Sequence, residues 1–331
     1  MITLFSLFLL VLLVITAVAV VQTRNLFAAV MLLSIFSLLL AANFLLLDAA
    51  DVALTEAAIG AGISTVLFLG ALSLTGEREA PRKGPRLLYL VAVIAATAVV
   101  IYATFDKPAF GDPQAPVQTH VAPWYLEKTP EYIDIPNVVT AILGAYRGYD
   151  TLGEVFVVFT AGIGVLFLLA SGPGSGSKRR GSRLTEVGQV TGLRHYLVPR
   201  VVGRLLVPFI ILFGLYVQFH GEYGPGGGFQ AGAFVAAGIV LYSLLEGEKK
   251  ALDIIPRKVL MGMVCGGALL YSAVGVLGML MGGNFLDYSV LLDNPVAAQQ
   301  VGIILIELGV GLTVTGVLLS IYHAFAARGR A

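Results

Sequence analysis

The chain has 331 residues, 57% of them hydrophobic and only 12% charged, with a mean hydropathy of +0.89. Soluble domains carry about 25% charged residues, so a water-soluble globule is excluded and an integral membrane protein is indicated. The 21 basic and 20 acidic residues leave a net charge of +1, which argues against a nucleic-acid-binding surface or an acidic tail. The single cysteine, Cys265, lies in the apolar run VLMGMVCGGALLYSAV, which excludes an internal disulfide, a thiolate cluster and a Cys-x-x-Cys redox pair.

The first segment, MITLFSLFLLVLLVITAVAVVQ, has no basic residue before its apolar stretch and the length of a span; it reads as a retained helix and not a cleaved signal. Runs long enough to cross a bilayer core of about 30 Å follow near 26–47, 52–75, 87–105, 152–170, 201–219, 229–245, 257–281 and 298–324. With 3–22 they predict an all-α, polytopic fold of about nine spans, because the runs are continuously apolar and lack the alternation of a membrane barrel. Of the 21 lysines and arginines, 18 fall at Arg24, 78–86, 178–204, 249–258 and the C-terminal Arg328 and Arg330, all on one side of nine alternating crossings. The positive-inside rule then predicts an external N-terminus and a cytoplasmic C-terminus, in a multi-pass membrane protein.

Four parts are expected. Residues 1–80 form a three-span module ending in the basic turn GEREAPRKGPR. Residues 81–170 form a two-span module with a long external segment, 106–150, that carries Trp124. Residues 171–195 form a Gly/Ser-rich basic linker, and residues 196–331 a four-span module. The linker composition predicts a flexible connection and a fusion joint; its GPGSGSK lacks the Gly-Lys-Ser/Thr ending and the preceding strand of a phosphate loop.

Ionisable groups inside the hydrocarbon cost several kcal/mol and are functional candidates by default. Glu56 lies about one turn into the third span beside Thr55, where a helix start also accommodates an anion. Glu154 ends Thr151-Leu152-Gly153-Glu154, which fits a capping box as well as an ion site. Before it, Val138, Ile142, Tyr146 and Tyr149 suggest a short amphipathic helix on the external surface, with Arg147 and Asp150 paired one turn apart. Glu307, about ten residues into the last span, has neither cap nor interface to explain it: it must be protonated, paired with a cation or hydrated. Between spans six and seven, FHGEYGPGGGFQAG combines an irregular glycine turn with a small-xxx-small face, flanked by His220 and Glu222. Histidine relays protons near neutral pH, although an interfacial histidine is also commonly structural. His120, His195 and His323 give no metal-ligand spacing, and no nucleophile–base pair, haem motif or dinucleotide fingerprint is present, so no catalytic residue, no metal site and no cofactor are expected.

The segments ALTEAAIGAGISTVLFLGAL, NVVTAILGAYRGYDTLGE, PGGGFQAG and VGIILIELGVGLTV resemble those of the multisubunit Mrp-type cation/proton antiporters and their relatives in the membrane arms of energy-converting hydrogenases. Residues 1 to about 170 resemble the C-terminal tail of the Mrp A-type subunit, and about 196 to 325 resemble the B-type subunit. The resemblance implies a membrane subunit of a Na+/H+ antiporter, with Na+ and H+ as transported ions. It implies other Mrp-type subunits as partners: antiporter-like A and D types and small C, E, F and G types. Glu56, Glu154 and Glu307 match the family's acidic positions, and with Thr55 and His220 they form the expected ion or proton pathway. Asp150, Arg147 and Glu222 are the expected surface entry. Two departures bear on that entry: Ala145 stands where A-type tails commonly have aspartate, and Glu222 where the B-type subunits commonly have histidine. The same module in a redox-driven membrane complex, and a purely structural scaffold, are the competing readings.

Overall fold

The computed structural model describes residues 2–79, 86–109, 111–170 and 197–328; the expected linker at 171–195 lies outside the described residues. The helices are α1 (Ile2–Gln22), α2 (Leu26–Leu46), α3 (Ala50–Thr75) and α4 (Arg86–Thr104), then α5 (Ala122–Tyr132), α6 (Val138–Ala141) and α7 (Gly148–Ala170). They continue with α8 (Leu197–His220), α9 (Gly228–Glu246), α10 (Glu248–Ile254), α11 (Arg257–Leu280) and α12 (Pro295–Arg328). Among the described residues there is no strand, only an isolated bridge between Asn25 and Arg78. Among the described residues nine helices are long and apolar enough to cross a membrane, and each coincides with an expected span to within a few residues.

The centre of the molecule is α12, a 34-residue helix about 51 Å long at 1.5 Å per residue, flanked by α7, α9 and α11. Lipid tails are as apolar as leucine, so membrane helices associate through close packing and not through the hydrophobic effect. Glycine supplies that closeness here. A Cβ on Gly228 would fall on the carbonyl oxygen of Glu307, one on Gly232 would lie 2.8 Å from that of Gly311, and one on Gly267 would meet that of Gly309. The Gly228 to Gly232 spacing read from GFQAG is therefore the face that α9 lays against α12. In contrast, Leu87 to Thr104 of α4 is exposed on every side, an apolar helix left to lipid or to other membrane helices.

Two helices are interrupted. In α3, residues Glu56–Ile63 are π-helical, and between α6 and α7 residues Ile142–Tyr146 are π-helical before a turn at Arg147. Such breaks free backbone carbonyls, which must find partners at membrane depth. Thr151 donates to the carbonyl of Leu143 at 2.8 Å, Tyr288 to that of Gly144 at 2.9 Å and Tyr271 to that of Gly148 at 2.8 Å. The helix expected around 138–149 is present, but the face expected to sink into the membrane surface is not its buried one. Thr140, Ala141, Gly144 and Gly148 are buried, because Gly144 closes on Ile303 and Gly148 on Tyr288, Leu286 and Tyr271, so that the segment packs inward instead of lying flat.

At the end where the basic residues cluster, Glu246 is 4% exposed and accepts from Arg200 Nε at 3.2 Å, Arg204 Nε at 2.5 Å and Lys250 Nζ at 3.0 Å. Three cations on one carboxylate join α8, α9 and α10. Replacing Glu246 with alanine leaves them without a counter-charge, and the expected result is a thermal midpoint lowered by several degrees, measured on detergent-solubilised protein against wild type.

Candidate functional site

A cavity of about 480 Å³ opens where the two halves of the chain meet. Its walls come from α3 (Asp51, Thr55), the broken segment before α7 (Thr140, Leu143), α7 (Thr151, Glu154), the glycine turn with the start of α9 (Gly226 to Gln230) and α12 (Glu307). Three carboxylates face this space, and no lysine, arginine or histidine lines it among the described residues. Glu307 lies 12 residues past Pro295, about 18 Å along α12, and Glu154 six residues, about 9 Å, past the start of α7; the cavity therefore reaches from the acidic end toward mid-membrane. Carboxylates without a counter-cation in this setting are stable as acids, or with a bound cation or water beside them, which is the requirement for passing protons or monovalent cations.

The walls are held by hydrogen bonds between distant parts of the sequence. The N–H of Gly226 donates to Asp51 Oδ1 at 2.9 Å, tying the glycine turn to the third span. Asn137 donates through Nδ2 to the carbonyls of Gly221 at 2.9 Å and Gly224 at 2.8 Å, and Thr140 donates to Gly221 at 2.7 Å. Gly226, with φ +150° and Val217 pressed against the place of a Cβ, needs glycine at that turn.

The predicted residues divide. Glu154, Glu307 and Thr55 share the cavity, and Thr55 Oγ1 also donates to the Asp51 carbonyl at 2.9 Å. Glu56 does not line it: one position past Thr55 in unbroken α geometry its side chain leaves the axis about 100° away, and its carboxylate turns over Gly60 toward Ser37 of α2, in the seam between the second and third spans. His220 is also off the cavity, stacked on Tyr216 with ring centroids 4.6 Å apart and near Tyr223 at 5.8 Å. Arg147 and Asp150 form the expected pair at 2.5 Å but are 62% and 50% exposed, outside the walls. The capping box at Thr151 is not formed, since α7 starts at Gly148 and the Thr151 hydroxyl donates backward to Leu143. Sequence reasoning missed Asp51 and Gln230 as wall residues; the four-residue spacing from Asp51 to Thr55, one helical turn, was the available signal.

The comparisons with known proteins match this architecture. A family model described as "Domain related to MnhB subunit of Na+/H+ antiporter" matches residues 198–320, and models for the D and E subunits of MBH match 11–77 and 87–175. The "Putative antiporter subunit mnhB2" of Staphylococcus aureus (strain Newman) is 32% identical over 128 residues, 38% of this chain and 90% of that protein. The chain belongs to the Mrp-type antiporter subunit family. A probable K(+)/H(+) antiporter A/B subunit of Rhizobium meliloti (strain 1021) is 25% identical over 326 residues, covering 90% of this Mrp-type chain and 32% of that protein. The structure of the Mrp complex from Dietzia sp. DQ12-45-1b superposes with a TM-score of 0.74 at 25% identity, over 96% of this chain and 34% of the other. This Mrp-type subunit thus spans about a third of the length of the longer relatives it matches.

Glu222 of this Mrp-type subunit lies in the turn beside the cavity, outside the spans. Its Oε1 is buried without a hydrogen-bond partner, and burial pushes its carboxyl above the usual glutamate value. A raised folded-state pKa favours the folded form while the group is protonated, so this contribution is complete below the ordinary value near 4.3 and is lost as pH rises through the folded one. Glu222→Gln is therefore expected to raise the thermal midpoint at neutral pH and to leave it unchanged near pH 4, read from melting curves across that range. An equal shift at both ends would show that the carboxyl is not held in this way.

Proposed function

We propose that the chain is a membrane subunit of a multisubunit monovalent cation/proton antiporter in a prokaryotic inner membrane, in which residues resembling the A-type tail and the B-type subunit are joined through 171–195. The observation that carries this reading is the single cavity into which Asp51 and Glu154 of the first half and Glu307 of the second all project. It needs both halves to exist. The matched relatives and the Mrp complex support the same assignment. The subunit contributes carboxylates to the ion route and surfaces, α4 above all, to partner membrane subunits of the antiporter-like and small types. Na+, K+ and H+ are the ions proposed to pass, with no resident cofactor.

The test is exchange in liposomes. The isolated chain is expected to show no Na+/H+ or K+/H+ exchange, while the complete complex carrying it acidifies or alkalinises the lumen on a cation pulse. Robust exchange by the isolated chain would overturn the subunit reading. The matches to the D and E subunits of MBH favour one second reading, the same module in the membrane arm of a redox-driven complex. Purification of the native assembly separates the two: metal-cluster subunits in stoichiometric amount would establish the redox arm.

A further inference from the structure

A second cavity, of about 300 Å³, sits at the opposite, basic end of the bundle, far from the carboxylates of the first. Three helix ends frame it: the start of α11 at Arg257, the end of α12 at Arg328 and the last turn of α7 at Leu166 and Leu169. Arg257, Arg328, Ser320 and His323 supply its polar lining. Neither arginine has a carboxylate within ion-pair distance among the described residues. Of the acids nearby, Glu246 holds Arg200, Arg204 and Lys250, Glu248 faces His323 Nδ1 at 3.6 Å, and Asp253 is exposed at the end of α10. His323, 3% exposed, closes the cavity on the side of Glu248. The remaining lining is apolar, with Leu169 from α7, Met261 from α11 and Ala327 from α12.

A pair of guanidinium groups with no carboxylate at ion-pair distance among the described residues, at the level where three spans end, attracts an anion, and phosphate is the anion that arginine recognises through paired donors. Free phosphate and a lipid head group share that chemistry. The leucine, methionine and alanine walls distinguish them: they face where an acyl chain runs and offer nothing to a hydrated ion. We propose that this cavity is a binding site for an anionic phospholipid, with its phosphate on Arg257 and Arg328 and its first acyl segment against Leu169 and Met261.

The complex containing the chain is purified in mild detergent, exchanged into nanodiscs of phosphatidylglycerol or phosphatidylcholine, and its retained lipid counted by native mass spectrometry. Wild type is expected to retain phosphatidylglycerol in preference to phosphatidylcholine, Arg257→Gln with Arg328→Gln to lower that retention about tenfold or more, and Arg257→Lys with Arg328→Lys to keep most of it. Millimolar inorganic phosphate is expected not to displace the lipid. Equal retention in wild type and the glutamine pair, or equal retention of the two lipids, would overturn the proposal, and displacement by inorganic phosphate would assign the cavity to the free anion. Should the glutamine pair fail to assemble, Ala327→Trp fills the apolar side and leaves both arginines. It is expected to expel the lipid, and unchanged retention there overturns the acyl-chain placement.

Discussion

Glu154→Gln and Glu307→Gln, made together, are expected to slow cation/proton exchange no more than the stronger of the two single changes. Each single change removes an ionisable oxygen from the same cavity at nearly constant volume, so the helices still pack, and each is expected to lower the exchange rate about tenfold or more if the ion must meet both groups. Two residues in one route show coupling of about 0.5–3 kcal/mol, whereas separated sites add. Glu56→Gln is the internal comparison: its carboxylate lies on the α2–α3 seam and not in the cavity, so its effect is expected to add to that of Glu154→Gln. Exchange measured in antiporter-deficient vesicles, normalised to assembled complex, checks this. Wild-type rates in both single variants would remove the cavity from the ion route and leave a scaffold.

The second large effect belongs to the backbone. Gly228→Val is expected to abolish assembly of the chain, because its first side-chain atom would occupy the space of the Glu307 carbonyl oxygen, and a helix backbone cannot retreat as a flexible side chain does. Overpacking of this kind costs about 1–3 kcal/mol or more, and here it would also drive α9 off α12 and open the cavity. Gly262→Ala and Gly266→Ala are the controls, since nothing stands within 4 Å of a Cβ at either position; both are expected to behave as wild type or to gain slightly from better helix propensity. Fluorescence-detected size-exclusion of the solubilised variants reads the outcome, and a monodisperse Gly228→Val peak at wild-type yield would contradict the packing account.

Much of this was legible in the sequence because bilayer thickness imposes it. Span number and extent follow from apolar run length alone, and Glu307 stood out because a carboxylate ten residues into an apolar run has no local explanation. The glycines of PGGGFQAG announced a close helix approach, although not which carbonyl they would meet. What escaped was whatever depends on the phase of a helix. Nothing in EAAIGAGI marks it as π-helical, nothing in the run tells that Thr55 and not Glu56 faces the cavity, and nothing tells that 138–148 buries Thr140, Ala141 and Gly144. Glu246 was hidden for another reason. Its partners Arg200 and Arg204 lie 46 and 42 residues away, and their charges counted only toward orientation until α8 and α9 were seen side by side.

The hydroxyls that close the break before α7 also set a schedule for biogenesis. Gly148 waits for Tyr271, 123 residues later, and Gly144 for Tyr288, 144 residues later. At about 5–20 residues per second, the N-terminal end of the fifth span stays without those partners for roughly 6–30 seconds after it is synthesised. During that interval those carbonyls need other partners, such as water. The mouth of the cavity is therefore completed last, when the final hairpin slides in behind it.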